Sequence, residues 1–490
     1  MNRLVSGLAI AFAAMLPPAH AEAAETAAPP AKADRLLPDV TTHAFTGDLD
    51  GMIQRRQIRV LVPYSKTFFF VDRGTQLGLA YEIGRLFEDD LNKKLKAKTV
   101  RVHVLFQPMA RDEFIPALVE GRGDVAIGNF TITPERQSRI DFAAKSRGQV
   151  SEIVVTAPGV DPVSSPEALS GREVYVRKSS SYHASLEALN ATLAAAGKPP
   201  VAIRLAPENL ESEDILEMVN AGLVKITIID SHIGEFWKQV FTRIRLNPEA
   251  ALRTGAEIAV MIRQGSPQLK AALDDFTVRY PEGSTTRVVL LQKYLKNTKW
   301  AKSATAQGEL AKFDRVVELF RKYSTRYELD YLLMMAQGYQ ESRLDQTARS
   351  RHGAVGVMQL LPSTGKEMQV GDVLQMEPNI HAGVKYLRVL LAKYYQNEPM
   401  TQLNKGLFTF ASYNAGPGRV QQLRRETAKR GLDPNVWFNN VELIAAQKIG
   451  RETVQYVSNI YKYYLAYTMV EEERVRREET RRALEGGGAR

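Results

Sequence analysis

The stretch Tyr331-Leu332-Leu333-Met334-Met335-Ala336-Gln337-Gly338-Tyr339-Gln340-Glu341-Ser342-Arg343 reads as an apolar helix that ends in a carboxylate. Its apolar period predicts a helix over Leu329 to Ser342. A carboxyl held against apolar surface is costly to ionise, so the pKa of Glu341 is expected to rise. That is the property of a general acid that protonates a leaving oxygen near neutral pH. Taken alone, the segment favours a plainer reading, a surface carboxylate at a helix end beside Arg343 and Asp345.

Working outward, apolar periods of helical spacing continue at Phe313 to Thr325, His381 to Tyr395, Gly406 to Asn414 and Thr453 to Met469. The C-terminal half is therefore expected to be an all-α domain over 313–470. Two segments in it look turn-rich and polar: Gly353-Ala354-Val355-Gly356-Val357-Met358-Gln359-Leu360-Leu361-Pro362, and Ala411-Ser412-Tyr413-Asn414-Ala415-Gly416-Pro417-Gly418-Arg419-Val420. Glycines allow a backbone to approach a flat polymer closely, and Gln359, Tyr413 and Asn414 supply donors and acceptors that suit sugar hydroxyl and acetamido groups. The tail 471–490, dense in Glu and Arg, reads as a solvated helix that frays.

The N-terminal half has another rhythm. β-Branched runs at Ile58 to Val62, Val100 to Phe106 and Val125 to Ile127 alternate with helical segments at Ala80 to Leu95 and Glu113 to Val119. After a loop rich in Pro and Ser (Pro158 to Ser170), strands recur at Glu173 to Val176, Val201 to Leu205 and Lys225 to Ile229. Alternation of this kind predicts an α/β domain of two lobes with parallel strands over 47–285, followed by a connector over 286–312.

At 490 residues with 44% hydrophobic content, the chain is too long for one core and suits two or three domains. Arg3, the apolar run Leu4 to Leu16 and the pattern Ala19-His20-Ala21 form an export signal over 1–21, ahead of a flexible linker over 22–46. That places the mature protein in the periplasm and argues against nucleic acid as a partner of the +10 charge, whose Lys and Arg are dispersed. With no cysteine there is no disulfide framework, no thiolate metal site and no lipid attached at an N-terminal cysteine, so any association with the outer membrane is expected to be peripheral. No metal and no cofactor are signalled.

The Glu341-Ser342 pair, Gly356 to Pro362, Tyr413-Asn414-Ala415-Gly416 and Glu452-Thr453-Val454-Gln455-Tyr456-Val457 together resemble the lytic transglycosylases of the soluble lytic murein type, a lysozyme-like family. Four motifs in order are far more specific than any one of them. The resemblance implies peptidoglycan as substrate. It implies Glu341 as sole acid and base, Ser350 as a polar support near it, and Met358 and Gln359 lining the groove, with Tyr413, Asn414 and Tyr456 completing the site. The acid would protonate the oxygen between N-acetylmuramic acid and N-acetylglucosamine, then draw the proton from the muramic 6-hydroxyl as it closes on C1, leaving a 1,6-anhydro end. Ordinary glycosidases need two carboxylates, and Asp345, Glu367 and Asp372 show no tie to that role. For Met358 and Tyr456, packing in the core is an equal reading.

The segment Leu118 to Arg136 leading into Arg139-Ile140-Asp141-Phe142, with Leu77-Gly78-Leu79-Ala80-Tyr81-Glu82 and Ile228-Ile229-Asp230, resembles the family 3 periplasmic solute-binding proteins. That implies a small ligand, an amino acid or wall peptide, with Arg136 on its carboxylate and Asp230 on its amine, and with Thr131, Ser180 and Ser181 as polar contacts. The aromatic cluster Tyr64, Phe68, Phe69 and Phe70 departs from that family's pattern and leaves the ligand open. The order of the two modules resembles the membrane-bound lytic murein transglycosylase F type. A hydrolytic muramidase, and a solute-binding sensor with a wall-binding helical domain, stay open as alternatives.

Overall fold

A computed structural model of the chain describes residues 44–146, 148–281, 284–291 and 307–487. The expected export signal and residues 22–43 of the expected linker lie outside the described residues, as does most of the expected connector.

The strands are β1 (Gln57–Val62), β2 (Phe70–Asp72), β3 (Thr75–Leu77), β4 (His103–Pro108), β5 (Val125–Thr131), β6 (Ile140–Ala143), β7 (Gln149–Thr156), β8 (Glu173–Arg177), β9 (Ala202–Ala206), β10 (Ile226–Asp230), β11 (Arg245–Asn247) and β12 (Arg253–Arg263). Strand β1 is buried along almost its whole length, and its one ion, Arg59, is neutralised by Asp124 at 2.8 Å. Burial on both faces is what a continuous apolar run with helices on either side requires.

The main sheet runs β10-β7-β12-β5-β1-β4, with β11 on β7 and β6 on β12. The expectation of parallel strands holds for β1 with β4 and β5, and for β8 with β9. It fails for β12, which is antiparallel to β5, β6 and β7, and for β10 on β7. The reason is connectivity: β7 carries the chain into the second lobe and the 11-residue β12 brings it back. Strand β12 pairs β7 up to Glu257 and then β5 and β6 from Ile258 onward, so the pair forms the hinge between the lobes.

The helical domain contains the helices Gln307–Arg326, Tyr331–Ser342, Pro362–Met368, Met376–Tyr394, Gln402–Ala415, Pro417–Lys429, Glu442–Lys448 and Arg451–Gly487. Asp330 caps the second of these, accepting from the N–H of Leu332 at 2.9 Å and from the Tyr464 hydroxyl at 2.7 Å. Gly338 lies where a Cβ would sit 2.8 Å from the Phe320 ring, so glycine lets the first two helices close on each other. The segment Ala411 to Val420, expected to be turn-rich, is helical up to Ala415 and turns only at Gly416.

The tail differs from expectation in its start. It is helical and its described residues are mostly exposed, as expected, but it continues a single 37-residue helix that runs from Arg451 to Gly487. Its far end meets both lobes, through Arg476 with Glu113 at 3.7 Å and Asn209 with the Thr480 hydroxyl at 2.8 Å.

The middle of that helix seats the helical domain on the first lobe. Lys462 reaches Glu88 at 3.0 and 3.1 Å, and Glu88 is buried, accepting also from Arg85 at 2.7 Å and from the N–H of Val104 at 2.7 Å. Burial alone would push the Glu88 carboxyl up, but Lys462, His103 and Arg85 hold it well below the usual range. Burial lowers Lys462 to about 8. Beside this pair, the β2–β3 hairpin touches two helices: Tyr467 of Arg451–Gly487 donates to the carbonyl of Gly74 at 2.6 Å, and Tyr339 of Tyr331–Ser342 donates to Thr75 Oγ1 at 2.9 Å. Breaking a buried ion pair from one side is costly because the other charge stays behind. Glu88→Gln is expected to cost about 3 kcal/mol and lower the thermal unfolding midpoint, and adding Lys462→Met is expected to restore most of the loss. Calorimetry on the single and double variants checks this.

Candidate functional site

Glu341 occupies the last turn of the helix Tyr331–Ser342, which Arg343 and Leu344 terminate with φ of 57° and 65°. Its side chain is half-buried in surface terms, yet the surrounding protein desolvates the carboxyl and pushes its pKa to about 7. Hydrogen bonds from Tyr456 and Gln337 oppose that rise and are outweighed. Tyr456, buried on the helix Arg451–Gly487, donates to Glu341 Oε1 at 2.5 Å. Burial and the charge of Glu341 keep the hydroxyls of Tyr456 and Tyr413 well above their ordinary pKa, so both stay neutral donors. The group is thus a carboxyl poised between its two protonation states, reachable from one side.

The loop Gly353 to Leu360 forms the floor beside it. Ser342 fastens the loop to the end of the Glu341 helix, donating to the carbonyl of Val357 at 2.8 Å. Tyr413 donates to the carbonyl of Met358 at 2.7 Å. Buried Asn379 holds the loop from beneath, donating to the carbonyls of Val355 and Val373, each at 2.9 Å, and accepting from the N–H of Met358 at 2.8 Å.

The expected residues therefore separate. Glu341, Tyr413 and Tyr456 come together. Met358 does not line a groove: its side chain is fully buried against Gly383 and Gly338, and only its backbone faces Tyr413. Ser350 does not support Glu341; its hydroxyl accepts from the N–H of His352 and Ala354 within its own loop at 3.3 and 3.0 Å. The Gln359 amide turns back onto the carbonyls of Gly356 and Ala348 at 2.9 and 3.3 Å. The Asn414 side-chain oxygen Oδ1 accepts from the Thr453 hydroxyl at 2.7 Å, which ties the motif of Tyr413 to that of Tyr456. Gln337 and Asn379 are not among the residues expected from sequence, although Gln337 is visible there as the one polar residue in an apolar run, one turn before Glu341.

A second site lies between the lobes, a cavity of about 540 Å³ whose lining includes Thr131, Arg136, Ser180, Ser181 and Asp230 together. Arg136 reaches across it, donating to the carbonyls of Thr131 at 2.8 Å and Ser179 at 2.9 Å, and forms no ion pair among the described residues. Burial and the nearby Arg111 lower it to about 10, so it remains charged. Asp230 accepts from Asn129 at 2.6 Å through one oxygen, and the other has no partner. Burial and then Glu152 raise Asp230 to about 7. Ser181 faces Thr131 at 3.4 Å, whereas the Ser180 hydroxyl caps its helix and donates to the carbonyl of Arg177 at 2.7 Å. Of the aromatic cluster, Phe68 lines this cavity, and Phe69 and Phe70 are buried. Arg111, which no sequence motif marks, is bound by Glu211 at 2.9 and 3.0 Å and is not available as Arg136 is.

The family model of the transglycosylase SLT domain matches residues 318–435, and that of the bacterial extracellular solute-binding proteins, family 3, matches residues 58–297. Proteins called membrane-bound lytic murein transglycosylase F are similar over both parts. The one from Desulfosudis oleivorans is 27% identical over 434 residues, covering 84% of this chain and 90% of its own. That from Ectopseudomonas mendocina is 26% identical, covering 84% and 85%. The chain joins a family 3 solute-binding domain to a transglycosylase SLT domain. Solved structures similar to the solute-binding part include a mutant of ArgBP from T. maritima (17% identity, 51% of this chain and 99% of that one, TM-score 0.41). Another is the amino acid ABC transporter substrate-binding protein AbpA from Streptococcus pneumoniae bound to L-arginine (16% identity, 51% and 98%, TM-score 0.42).

In the transglycosylase domain the raised pKa of Glu341 has a cost that can be read out. The folded state holds the proton more tightly than the unfolded chain, so stability is greatest at acid pH and is lost as pH rises from about 4.5 towards 7. Glu341→Gln removes that loss. The variant is expected to be more stable than the parent by on the order of 1–3 kcal/mol at pH 8 and no more stable at pH 4. Asn379→Leu leaves the buried N–H of Met358 without an acceptor and takes one of two donors from each of the carbonyls of Val355 and Val373, and is expected to cost about 1–3 kcal/mol together with activity. Thermal denaturation at the two pH values and a wall-clearing assay check both.

Proposed function

We propose that the helical domain cleaves the β-1,4 bond between N-acetylmuramic acid and N-acetylglucosamine in peptidoglycan and leaves 1,6-anhydro ends, with Glu341 as acid and then base. The observation that carries this is the desolvated carboxyl with its pKa near 7, held by one neutral tyrosine donor. Protonated Glu341 gives its proton to the bridging oxygen as the bond to C1 breaks. The resulting carboxylate, stabilised by the Tyr456 hydroxyl, takes the proton of the muramic 6-hydroxyl as that oxygen bonds to C1. The attacking group belongs to the same sugar, so the step gains the advantage of an intramolecular reaction and needs no second carboxylate. Of the other carboxylates considered, Asp345 accepts from Thr347 in its own turn and Asp372 from the N–H of Leu374.

The cleft between the lobes fits a small zwitterion such as an amino acid or the end of a wall peptide: Arg136 lacks a carboxylate and Asp230 has an open oxygen. Ligand that holds the lobes together biases the catalytic domain through the helix Arg451–Gly487, which touches Glu113, Asn209 and, by Tyr456, Glu341. The protein works in the periplasm, and its contact with the outer membrane is peripheral. Among the described residues no helix is long and apolar enough to cross a membrane.

Mass spectrometry of digested glycan strands tests the chemistry: anhydro ends are expected, and reducing ends formed with water would make the enzyme a hydrolytic muramidase. Glu341→Gln is expected to lower turnover by about a thousandfold or more; full wall clearing by that variant would leave only a binding role. In the cleft an ammonium ligand needs Asp230 ionised, so affinity for an α-amino acid is expected to weaken by up to about tenfold per pH unit below 7. Calorimetric titration across pH 5–8 measures that slope, and turnover timed with and without bound amino acid or wall peptide decides whether the cleft controls catalysis.

A further inference from the structure

Gln337 is fully buried, with no exposed surface, and lies one turn before Glu341 on the same helix. Its Nε2 donates to the Tyr456 hydroxyl at 3.1 Å, and that hydroxyl donates to Glu341 Oε1 at 2.5 Å. Its Oε1 is buried and has no partner. A buried amide in an otherwise apolar stretch, with one end unsatisfied, is destabilising relative to an apolar residue of that shape. Packing does not explain it, since Leu332 to Ala336 fill the same core with apolar side chains.

The geometry assigns Gln337 as a positioning residue that acts on Glu341 through the direction of the Tyr456 hydroxyl proton. The inference rests on the reading of Glu341 as acid and base. A tyrosine hydroxyl has one proton and can also accept, and an amide nitrogen only donates. With Nε2 facing it, the Tyr456 oxygen accepts from Gln337 and its single proton is committed to Glu341, the arrangement that a carboxylate needs. When Glu341 carries its own proton, that proton points to the Tyr456 oxygen, and the tyrosine proton needs another acceptor. The same amide, turned about its terminal bond, offers the unpartnered Oε1. One neutral side chain thereby serves both forms of a group that must be acid first and base second. Aliphatic replacements serve neither.

Gln337→Met keeps the volume and removes both functions. Losing a committed donor disfavours the carboxylate form, so the alkaline limb of the kcat/KM profile against pH is expected to move up by about half to one unit. Turnover at the optimum is expected to fall about tenfold, while the thermal midpoint stays level or rises because an unsatisfied amide has gone. In a Tyr456→Phe background the same substitution is expected to move the limb by clearly less, because only the direct pull of the amide on the Glu341 carboxyl is left to lose. Where turnover is too low, the 13C shift of the labelled Glu341 carboxyl gives the same titration, and Gln337→Leu serves if the Met variant does not fold. A limb that stays put in Gln337→Met, or an equal further shift in the Tyr456→Phe background, overturns the inference. Retained turnover in Glu341→Gln would instead overturn the role of Glu341 itself.

Discussion

The candidate catalytic centre depends on one crossing of two helices, that of Tyr331–Ser342 with Arg451–Gly487. A carboxyl taken out of water is unstable as an anion, and Glu341 tolerates its place only because the second helix brings Tyr456 to 2.5 Å. Gly338 lets the first helix sit close to Phe320, and Tyr464, two turns beyond Tyr456 on the second helix, braces the capping Asp330. Cap, packing and site are consequences of the same contact. The chemistry follows, because a carboxyl with its pKa near 7 is available in both forms under ordinary conditions.

Much of this centre is legible in the amino-acid sequence. Glu341 at the end of an apolar helix carries its own physical signal, and the motifs of Tyr413 and Tyr456 point to the same place. The residues that mislead are those whose motif is real but whose contribution comes from the backbone. Met358 contributes a carbonyl and an N–H while its side chain fills the core, and a sequence does not show which of the two faces the site. Ser350 and Gln359 turn inward for a similar reason: a tight loop must satisfy its own polar groups before it can serve a ligand. Asn379 is 24 residues from Val355, and nothing local marks it as the loop's support.

In the N-terminal half, alternation of strand and helix indicates the architecture, but strand direction depends on which elements cross between lobes. The meeting of Arg136 and Asp230 in one cavity follows from motifs far apart in the chain. That Glu211 occupies Arg111 while Arg136 has no carboxylate partner among the described residues is a matter of three-dimensional charge balance. The Glu- and Arg-rich stretch after Glu471 looks solvated because each residue, taken locally, is; its two contacts with the lobes are long-range and have no local pattern.

The position of Tyr456 along the chain has a consequence for how the protein is made. A polypeptide is synthesised and crosses a membrane from its N-terminus, and Glu341 precedes its tyrosine partner by 115 residues. Until the helix Arg451–Gly487 has been made and docked, Glu341 ends a helix without its tyrosine partner, and an ordinary ionised glutamate cannot act as an acid at neutral pH. In a wall-cleaving enzyme the proposed acid is therefore incomplete until the helix that carries Tyr456 is in place.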